Sequence, residues 1–269
     1  MIELYNNTIK IPFDYWKGIL ENKKEYLASK VIVTALDFQE VNTVNNWDIV
    51  FGKRICVDIN NKEIVLPKTI SFEQFCYALR VIIDGIMVQE GRCPIHASAV
   101  NASKGNIIMS AKSKEGKSYC AHRLVNECNG TQLVGDDHLI ISNGTISGNS
   151  LMRIRNNEES HYITQKKSSY NFCERQIIVM VHGGKNEVRT IRDKEVKVSL
   201  FTKSELSKYL LNPFTIGEQK YVCSDLFENC IKDMYIDCLN TIFEEVILFS
   251  GDCDFIYNNV KKKLEGELL

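Results

Sequence analysis

The stretch SAKSKEGKSYCAHRLV, from Ser110 to Val125, joins an apolar, strand-like segment to a helical pattern. It contains Gly116-Lys117-Ser118, the end of the phosphate-binding loop G-x-x-x-x-G-K-[ST], although Ala111 stands where that loop has its first glycine. At the start of a helix, free backbone N–H groups and the helix dipole favour a bound anion. The context therefore favours a nucleotide-binding loop, and the alternative is a surface turn in which Lys117 is solvated.

The loop supplies a set of predicted nucleotide-binding residues. Lys117 would reach the β- and γ-phosphates of ATP, and the Ser118 hydroxyl would bind Mg²⁺ together with phosphate oxygens. The predicted nucleotide-binding residues are Ser113, Lys114, Glu115, Gly116, Lys117, Ser118 and Tyr119.

Two adjacent carboxylates, Asp136 and Asp137, lie in the apolar run TQLVGDDHLIIS, 18 positions after Ser118. We expect this run to be one strand, so that the two side chains point to opposite faces and at least one is inside. A buried carboxylate needs a partner such as a metal ion or a hydroxyl donor. Beside a phosphate-binding loop, one carboxylate would hold Mg²⁺ and the other would orient or deprotonate an attacking group. An Asp-Asp turn or strand end is the alternative interpretation.

His96 lies in PIHASAV, a predicted strand just before the strand that leads into the loop. An isolated histidine in a strand is more often structural than functional. Its position beside the loop and the Asp-Asp pair nevertheless makes it a candidate site residue.

In this order, PIHASAV, NIIMSAKSKEGKS and LVGDDHLII resemble the HPr kinase-like proteins, over roughly Arg92 to Ser142. The motifs of that family run L-H-x-x-x-V, a strand, G-x-S-G-x-G-K-S, a helix and a strand that ends in Asp-Asp. The resemblance implies an α/β fold with a P-loop-containing mixed sheet core, related to that of HPr kinase and phosphoenolpyruvate carboxykinase.

The resemblance also implies roles for individual residues. His96 would assist proton movement near the transferred phosphoryl group, and Asp137 would deprotonate the accepting serine hydroxyl. Lys117 would bind phosphate, so that the catalytic set is His96, Lys117 and Asp137, while Ser118 and Asp136 would hold the metal. The family's downstream acidic metal ligand and arginine have several candidates here: Glu158, Glu159, Arg153, Arg155, Arg189 and Arg192.

The loop departs from the family pattern at two positions, because Ala111 replaces its first glycine and Lys114 a central one. A non-glycine residue in a left-handed conformation costs about 1–2 kcal/mol. Two explanations are open. The loop is either a decayed copy that binds nucleotide poorly, or a working variant in which Ala111 ends the strand in a β conformation and Lys114 supplies a cation. We favour the second explanation, because the lysine and serine of the loop and both adjacent aspartates are all retained.

Bulk composition excludes several classes of protein. The chain has 269 residues, 44% apolar residues and a net charge of −1, so no overall basic field indicates a nucleic-acid partner. No apolar run reaches the roughly 18 residues that span a bilayer, and the N-terminus does not resemble a signal peptide. The ten cysteines include no C-x-x-C pair and are interpreted as reduced thiols of a cytoplasmic protein, although a metal site assembled from distant cysteines stays open.

The chain carries no strong linker signal, and we expect two regions: a β-rich N-terminal region over 1–70, which would recognise the substrate, and a kinase core over 71–269. In the first, Asn60-Asn61 is a hairpin turn; in the second, a capping box at Ser71–Gln74 opens a helix. Further predicted elements are a helix opened by Thr202–Glu205, a helix from about Ser224 to Asn240, a strand EEVILFSG and a last helix.

These observations predict an ATP- and Mg²⁺-dependent kinase that phosphorylates a serine hydroxyl of a protein or peptide. Stand-alone relatives of HPr kinase include kinases of ribosomally made peptides such as lasso-peptide precursors, which makes such a precursor a candidate acceptor. Two alternatives remain: a non-catalytic nucleotide-binding or interaction module, and a kinase of a small hydroxyl metabolite. No nucleic-acid or membrane partner is expected, and a homo-oligomer stays open.

Overall fold

The computed structural model describes residues 2–4, 7–10, 35–36, 46–148, 151–156, 159–164, 169–172, 175–206, 210–211, 213–216, 219–221, 226–227 and 231–267. Over these residues the protein is of mixed α/β class, with five helices and several sheets. The described part contains no helix that is long and apolar enough to span a bilayer. Seven cysteines of the described part are free thiols: Cys56, Cys76, Cys93, Cys120, Cys128, Cys238 and Cys253.

The N-terminal strands form a six-stranded sheet in the order β3-β1-β2-β4-β6-β5. The predicted hairpin at Asn60-Asn61 is confirmed: β5 and β6 pair antiparallel around it, and both the backbone N–H and the side chain of Asn61 donate to the Asp58 carboxylate. The bounds are β1 Ile2–Leu4, β2 Asn7–Lys10, β3 Ala35–Leu36, β4 Asn46–Gly52, β5 Cys56–Asp58 and β6 Glu63–Pro67. The boundary near residue 70 stays a prediction, since one apolar core contains side chains from both sides of it.

A second six-stranded sheet carries the Ser110–Val125 stretch, in the order β10-β8-β9-β16-β20-β17. Its three neighbouring strands β9, β16 and β20 run parallel, so their carboxyl ends meet at one edge. Ligands bind at such edges in many α/β proteins. The bounds are β8 Ser98–Ala102, β9 Gly105–Ser110, β10 Gln132–Gly135, β16 Gln176–His182, β17 Glu187–Ile191 and β20 Glu245–Gly251.

A four-stranded antiparallel sheet has the order β15-β12-β11-β7. In the chain, its strand β7 directly precedes β8, and its strand β11 directly follows β10. Two hairpins, β13–β14 and β18–β19, complete the described strands. The bounds are β7 Cys93–Ile95, β11 Leu139–Ser142, β12 Thr145–Gly148, β13 Leu151–Asn156, β14 Glu159–Thr164, β15 Ser169–Asn171, β18 Phe214–Ile216 and β19 Gln219–Tyr221.

Two predicted continuous strands are in fact broken, and they break side by side. PIHASAV is divided into β7 and β8 at His96-Ala97, and TQLVGDDHLIIS is divided into β10 and β11 at residues 136–138. Ile95 pairs with Leu139 on one side of the breaks, and Ala99 pairs with Gly135 on the other. Both segments of the chain therefore pass from one sheet to the other at the same level. The alternation of apolar residues in the sequence does not reveal this change of sheet.

The first helix, α1 (Phe72–Gln89), begins as the capping box predicts. The Ser71 hydroxyl accepts the Gln74 backbone N–H, and the Gln74 side chain accepts the Ser71 backbone N–H. Most of its apolar side chains are buried in the core shared with the N-terminal sheet. Without this capping box the start of the helix would fray, because the first N–H groups of a helix have no intrahelical acceptor.

Helix α2 (Lys117–Glu127) follows the loop and packs Cys120, Ala121 and Leu124 into a second apolar core. The same core contains side chains of β9, β16, β20 and the final helix α5 (Cys253–Glu265), whose N-cap is Asp252. This core holds α2 and α5 in place next to the parallel strands.

The predicted capping box at Thr202–Glu205 is wrong. Helix α3 (Lys194–Lys203) begins earlier, because the Asp193 side chain accepts the Val196 N–H at 2.9 Å. Glu205 has a φ of 58°, a left-handed conformation that cannot open a helix. The predicted Ser224 helix is seen as α4 (Ile231–Ile242), and its expected first residues fall partly outside the described part.

Candidate active site

The polar residues of the site come together where the segments β7–β8 and β10–β11 pass from one sheet to the other. Asp136 is buried, and its Oδ1 accepts a hydrogen bond from the Ser118 hydroxyl at 2.9 Å and another from the Ser98 hydroxyl. Burial raises the pKa of Asp136, and the neighbouring charge of Asp137 raises it further, while the two serines and Lys117 act in the opposite direction. The carboxylate thus sits where negative charge is unfavourable unless cations lie close to it.

Asp137 is directed differently from Asp136, with a side chain that is 27% exposed. Its φ of 70° is left-handed, which places it in a sharp bend rather than in a strand. The predicted alternation of the two carboxylates across one strand is therefore replaced by a bend that leaves one buried and the other accessible. An aspartate tolerates this conformation better than most residues do.

His96 joins this bend to a separate part of the chain. Its Nε2 lies 3.1 Å from Asp137 Oδ1, and its Nδ1 lies 3.1 Å from the Glu205 carbonyl oxygen. A carbonyl oxygen can only accept, so Nδ1 carries a proton, and the second contact needs one further proton between Nε2 and Oδ1. The pair is therefore arranged to hold one proton between imidazole and carboxylate.

Burial lowers the pKa of His96 to about 4. The Asp137 carboxylate opposes this effect by accepting a hydrogen bond from the protonated ring, and the positive charges of Lys117 and Arg80 add to it. A neutral imidazole between cations is suited to accept a hydrogen bond from a protonated carboxyl group.

A buried polar network on α1 supports the bend. The Arg80 guanidinium donates to the Asp137 carbonyl oxygen at 2.7 Å and lies 3.6 Å from Asp84. Asp84 in turn contacts His138 Nε2 at 2.8 Å, and burial lowers the pKa of His138. All three side chains are buried, and the network fixes the backbone of the bend through the hydrogen bond from Arg80 to the Asp137 carbonyl oxygen.

The loop between β9 and α2 begins in a favourable conformation and becomes strained in the middle. Ala111 is not among the residues with positive φ, and its methyl group is fully buried in the second core. Lys114 has a φ of 70°, and Gly116, the N-cap of α2, has a φ of 85°. Lys114 therefore adopts the left-handed conformation that a glycine at its position would adopt more readily.

Backbone N–H groups of the loop bind carboxylate oxygens. The Ser113 N–H donates to Glu205 Oε2 at 3.2 Å, and the Lys112 N–H donates to Glu115 Oε2 at 3.2 Å. Glu205 consequently connects the loop with His96. Its side chain accepts from the loop, and its carbonyl oxygen contacts the His96 ring. The loop thus presents N–H donors to anionic oxygens in this conformation.

Several predicted site residues come together and others do not. Ser118 and Asp136 are hydrogen-bonded, His96 and Asp137 are in contact, and the buried Lys117 lies close enough for its charge to affect the pKa values of His96 and Asp136. The Tyr119 side chain, by contrast, is 64% exposed on α2 and makes no hydrogen bond to the described site.

Of the candidates for a downstream acid and arginine, the two whose side chains are described make their ion pairs outside the described site. Arg189 and Arg192 are exposed on and after β17, where they pair with Glu187 and Glu245. Arg153, Arg155 and Glu159 belong to the β13–β14 hairpin, and Glu158 lies outside the described residues.

Sequence reasoning missed three residues that contact the site: Ser98, Arg80 and Glu205. Ser98 lies two positions after His96 and could have been found from that spacing. Arg80 and Glu205 come from α1 and from the turn after α3, and no local pattern connects them with the loop.

Comparison with known proteins adds no assignment: no protein-family model matches the chain, and no curated protein matches it significantly.

Proposed function

We propose that this protein is an ATP-dependent phosphotransferase of the HPr kinase-like type, with a P-loop core, that phosphorylates a serine hydroxyl of a protein or peptide. One observation carries the proposal: the hydrogen bond from Ser118, at the start of α2, to Asp136, in the bend between β10 and β11. It brings the phosphate-loop motif and the carboxylate pair together, as phosphoryl transfer requires.

The loop is suited to the phosphates of ATP. Its N–H groups already bind carboxylate oxygens of Glu115 and Glu205, and phosphate oxygens make the same kind of acceptor. Lys117, in the first turn of α2, would bind the β- and γ-phosphates, and Lys114 would add a cation at the loop surface. The edge at which β9, β16 and β20 end is where such a ligand is expected.

The donor set at Asp136 fits Mg²⁺. Ser118 and Asp136 offer a hydroxyl and a carboxylate, both hard oxygen ligands, and the buried charge of Asp136 would be offset by a divalent cation. Over the described residues, no group of three His, Cys, Asp or Glu side chains could hold a metal ion. The remaining ligands would therefore be phosphate oxygens and water, as is usual for Mg²⁺, which neutralises phosphate charge when bound.

Proton transfer falls to the accessible carboxylate. Asp137 would take the proton of the acceptor hydroxyl, whose oxygen then forms a bond to the γ-phosphorus as the bond to the ADP oxygen breaks. The resulting carboxyl group can donate to His96 Nε2, and the two 3.1 Å contacts of His96 are those that this protonated pair needs. The products are ADP and a phosphorylated serine.

The acceptor class rests on the family resemblance of the motifs. A protein or peptide, including a ribosomally made precursor peptide, would approach the 27%-exposed Asp137 from solvent. Recognition by the β-rich N-terminal region is part of the same proposal.

The experiment is a transfer assay with γ-labelled ATP and Mg²⁺, offered in parallel to a serine-containing random peptide pool and to free serine, threonine and homoserine. Label in phosphoserine peptides, dependent on Asp137, supports the proposal. Label in a free amino acid favours the metabolite kinase. Nucleotide binding without transfer in any arm, including an extract of the source cells, favours the non-catalytic module and overturns the kinase.

A further inference from the structure

A histidine outside the predicted site lies at the same edge as the loop. His182 is the last residue of β16, whose neighbour β9 pairs with it through Ser110, the residue before the loop. The chain then leaves the strand through Gly183 and Gly184, with φ values of 91° and 79°. The turn thus leaves His182 beside the carboxyl end of β9.

The imidazole of His182 is directed at the start of α2. A Cβ atom at Gly116 would lie 3.6 Å from His182 Nε2, so the ring nitrogen approaches the N-cap itself. This nitrogen is shielded from solvent and has no hydrogen-bond partner within the part of the chain that the structure describes. A buried polar atom without a partner is energetically unfavourable, and such an atom calls for a ligand or another explanation.

The other ring nitrogen has a partner. Cys253, the first residue of α5, places its Sγ 3.5 Å from His182 Nδ1. When the thiol donates its proton to Nδ1, the ring proton resides on Nε2, which is then a donor towards the loop. In this direction, the contact with Cys253 gives the tautomer that an anionic ligand needs.

We infer that His182 is an additional phosphate-binding residue, whose Nε2–H donates to a phosphate oxygen of the nucleotide bound by the loop. The inference rests on the proposed function, because the ligand is the same nucleoside triphosphate. It adds a side-chain donor on the β16 side of the loop, opposite to the bend that carries Asp136 and Asp137.

Two matched substitutions test the inference. His182→Gln places an amide N–H near the position of Nε2, whereas His182→Asn places its amide near Nδ1 and leaves no donor towards the loop. Calorimetric titration with ATP·Mg²⁺ should give an affinity for His182→Asn about tenfold weaker than wild type, and for His182→Gln within about threefold of it. Thermal unfolding of each variant checks that the comparison is made on folded protein.

The outcomes separate the two proposals. Equal weakening of ATP binding by both variants, or no weakening by either, overturns the role of His182. In both cases, ATP binding by the wild type leaves the proposed function intact. Failure of the wild type to bind ATP·Mg²⁺ overturns both.

Discussion

Ser118 Oγ donates a 2.9 Å hydrogen bond to Asp136 Oδ1, and this bond ties the first turn of α2 to the bend between β10 and β11. The two residues come from segments that are separated in the chain and belong to different elements. The break in the strand at Asp136 decides where the second carboxylate lies, because a continuous strand would direct the Asp137 side chain to the opposite face, away from the loop. The chemistry that we propose follows from this contact and from the neighbouring contact of His96 with Asp137.

The first prediction concerns the base. Asp137→Asn keeps the size of the side chain but cannot accept the proton of the acceptor hydroxyl. We expect phosphoryl transfer to fall by about 10²-fold or more while ATP·Mg²⁺ affinity stays within about threefold of wild type. Single-turnover transfer and calorimetric binding measure the two quantities, and transfer at close to the wild-type rate would exclude Asp137 as the base.

The second prediction concerns the strained lysine of the loop. Lys114→Gly relieves a left-handed residue, with φ of 70°, and also removes a cation. We expect the variant to gain stability, by up to about 1 kcal/mol, and to bind ATP·Mg²⁺ more weakly with a smaller dependence on salt.

Lys112→Gly is the matched control, since Lys112 lies in the same loop without a positive φ. This substitution should lower stability instead of raising it, because glycine increases the entropy of the unfolded chain. Tighter ATP binding by Lys114→Gly than by the wild type would instead indicate a decayed loop.

The third prediction is a pH dependence of stability. The pKa of His96 is lowered from 6.5 to about 4, so between these values the unfolded chain binds more protons than the folded one, and stability falls as the pH falls. From pH 7 to pH 5 the contribution of His96 to this loss is about 2 kcal/mol. Urea unfolding of His96→Asn should show a loss smaller by that amount.

His122→Asn changes a histidine of α2 that contacts Asn126 instead of the site, and it should keep the wild-type loss. Equal losses in wild type and His96→Asn would mean that His96 titrates normally. His138, whose pKa burial also lowers, contributes with the same sign and accounts for part of the loss that remains.

The fourth prediction concerns the support behind the bend. Arg80→Met leaves the buried Asp84 without its cation, and we expect a destabilisation of about 3–5 kcal/mol. In Arg80→Met/Asp84→Asn the uncompensated charge is gone and the amide oxygen can still accept from His138. The double variant should therefore be more stable than Arg80→Met by at least about 1 kcal/mol in urea unfolding; a double variant as unstable as the single one would contradict this account.

Local signals in the sequence predicted much of the fold. The capping box at Ser71 and Gln74, the strand-loop-helix order around Gly116, and the strand and helix at the end of the chain are all present. Each depends on interactions within a few residues or on one apolar period, which is why a sequence alone suffices.

The geometry of the site depends on distant partners and could not be predicted in this way. The bend at Asp137 is held by Arg80, 57 positions away, and His96 contacts the carbonyl oxygen of Glu205, 109 positions away. The capping-box pattern at Thr202 failed because Asp193 had already opened the helix that ends there. The apolar runs through His96 and Asp136 gave no sign that each would change sheets.

The most direct test of the central claim is calorimetric titration of ATP·Mg²⁺ into wild type, Lys117→Ala and Lys112→Ala, with thermal unfolding as the check on folding. Lys117 is buried at the start of α2, whereas Lys112 is exposed in the same loop. The account predicts binding by the wild type, at least about tenfold weaker binding by Lys117→Ala, and a change of no more than about threefold for Lys112→Ala. Equal affinities of the wild type and Lys117→Ala would contradict the nucleotide site.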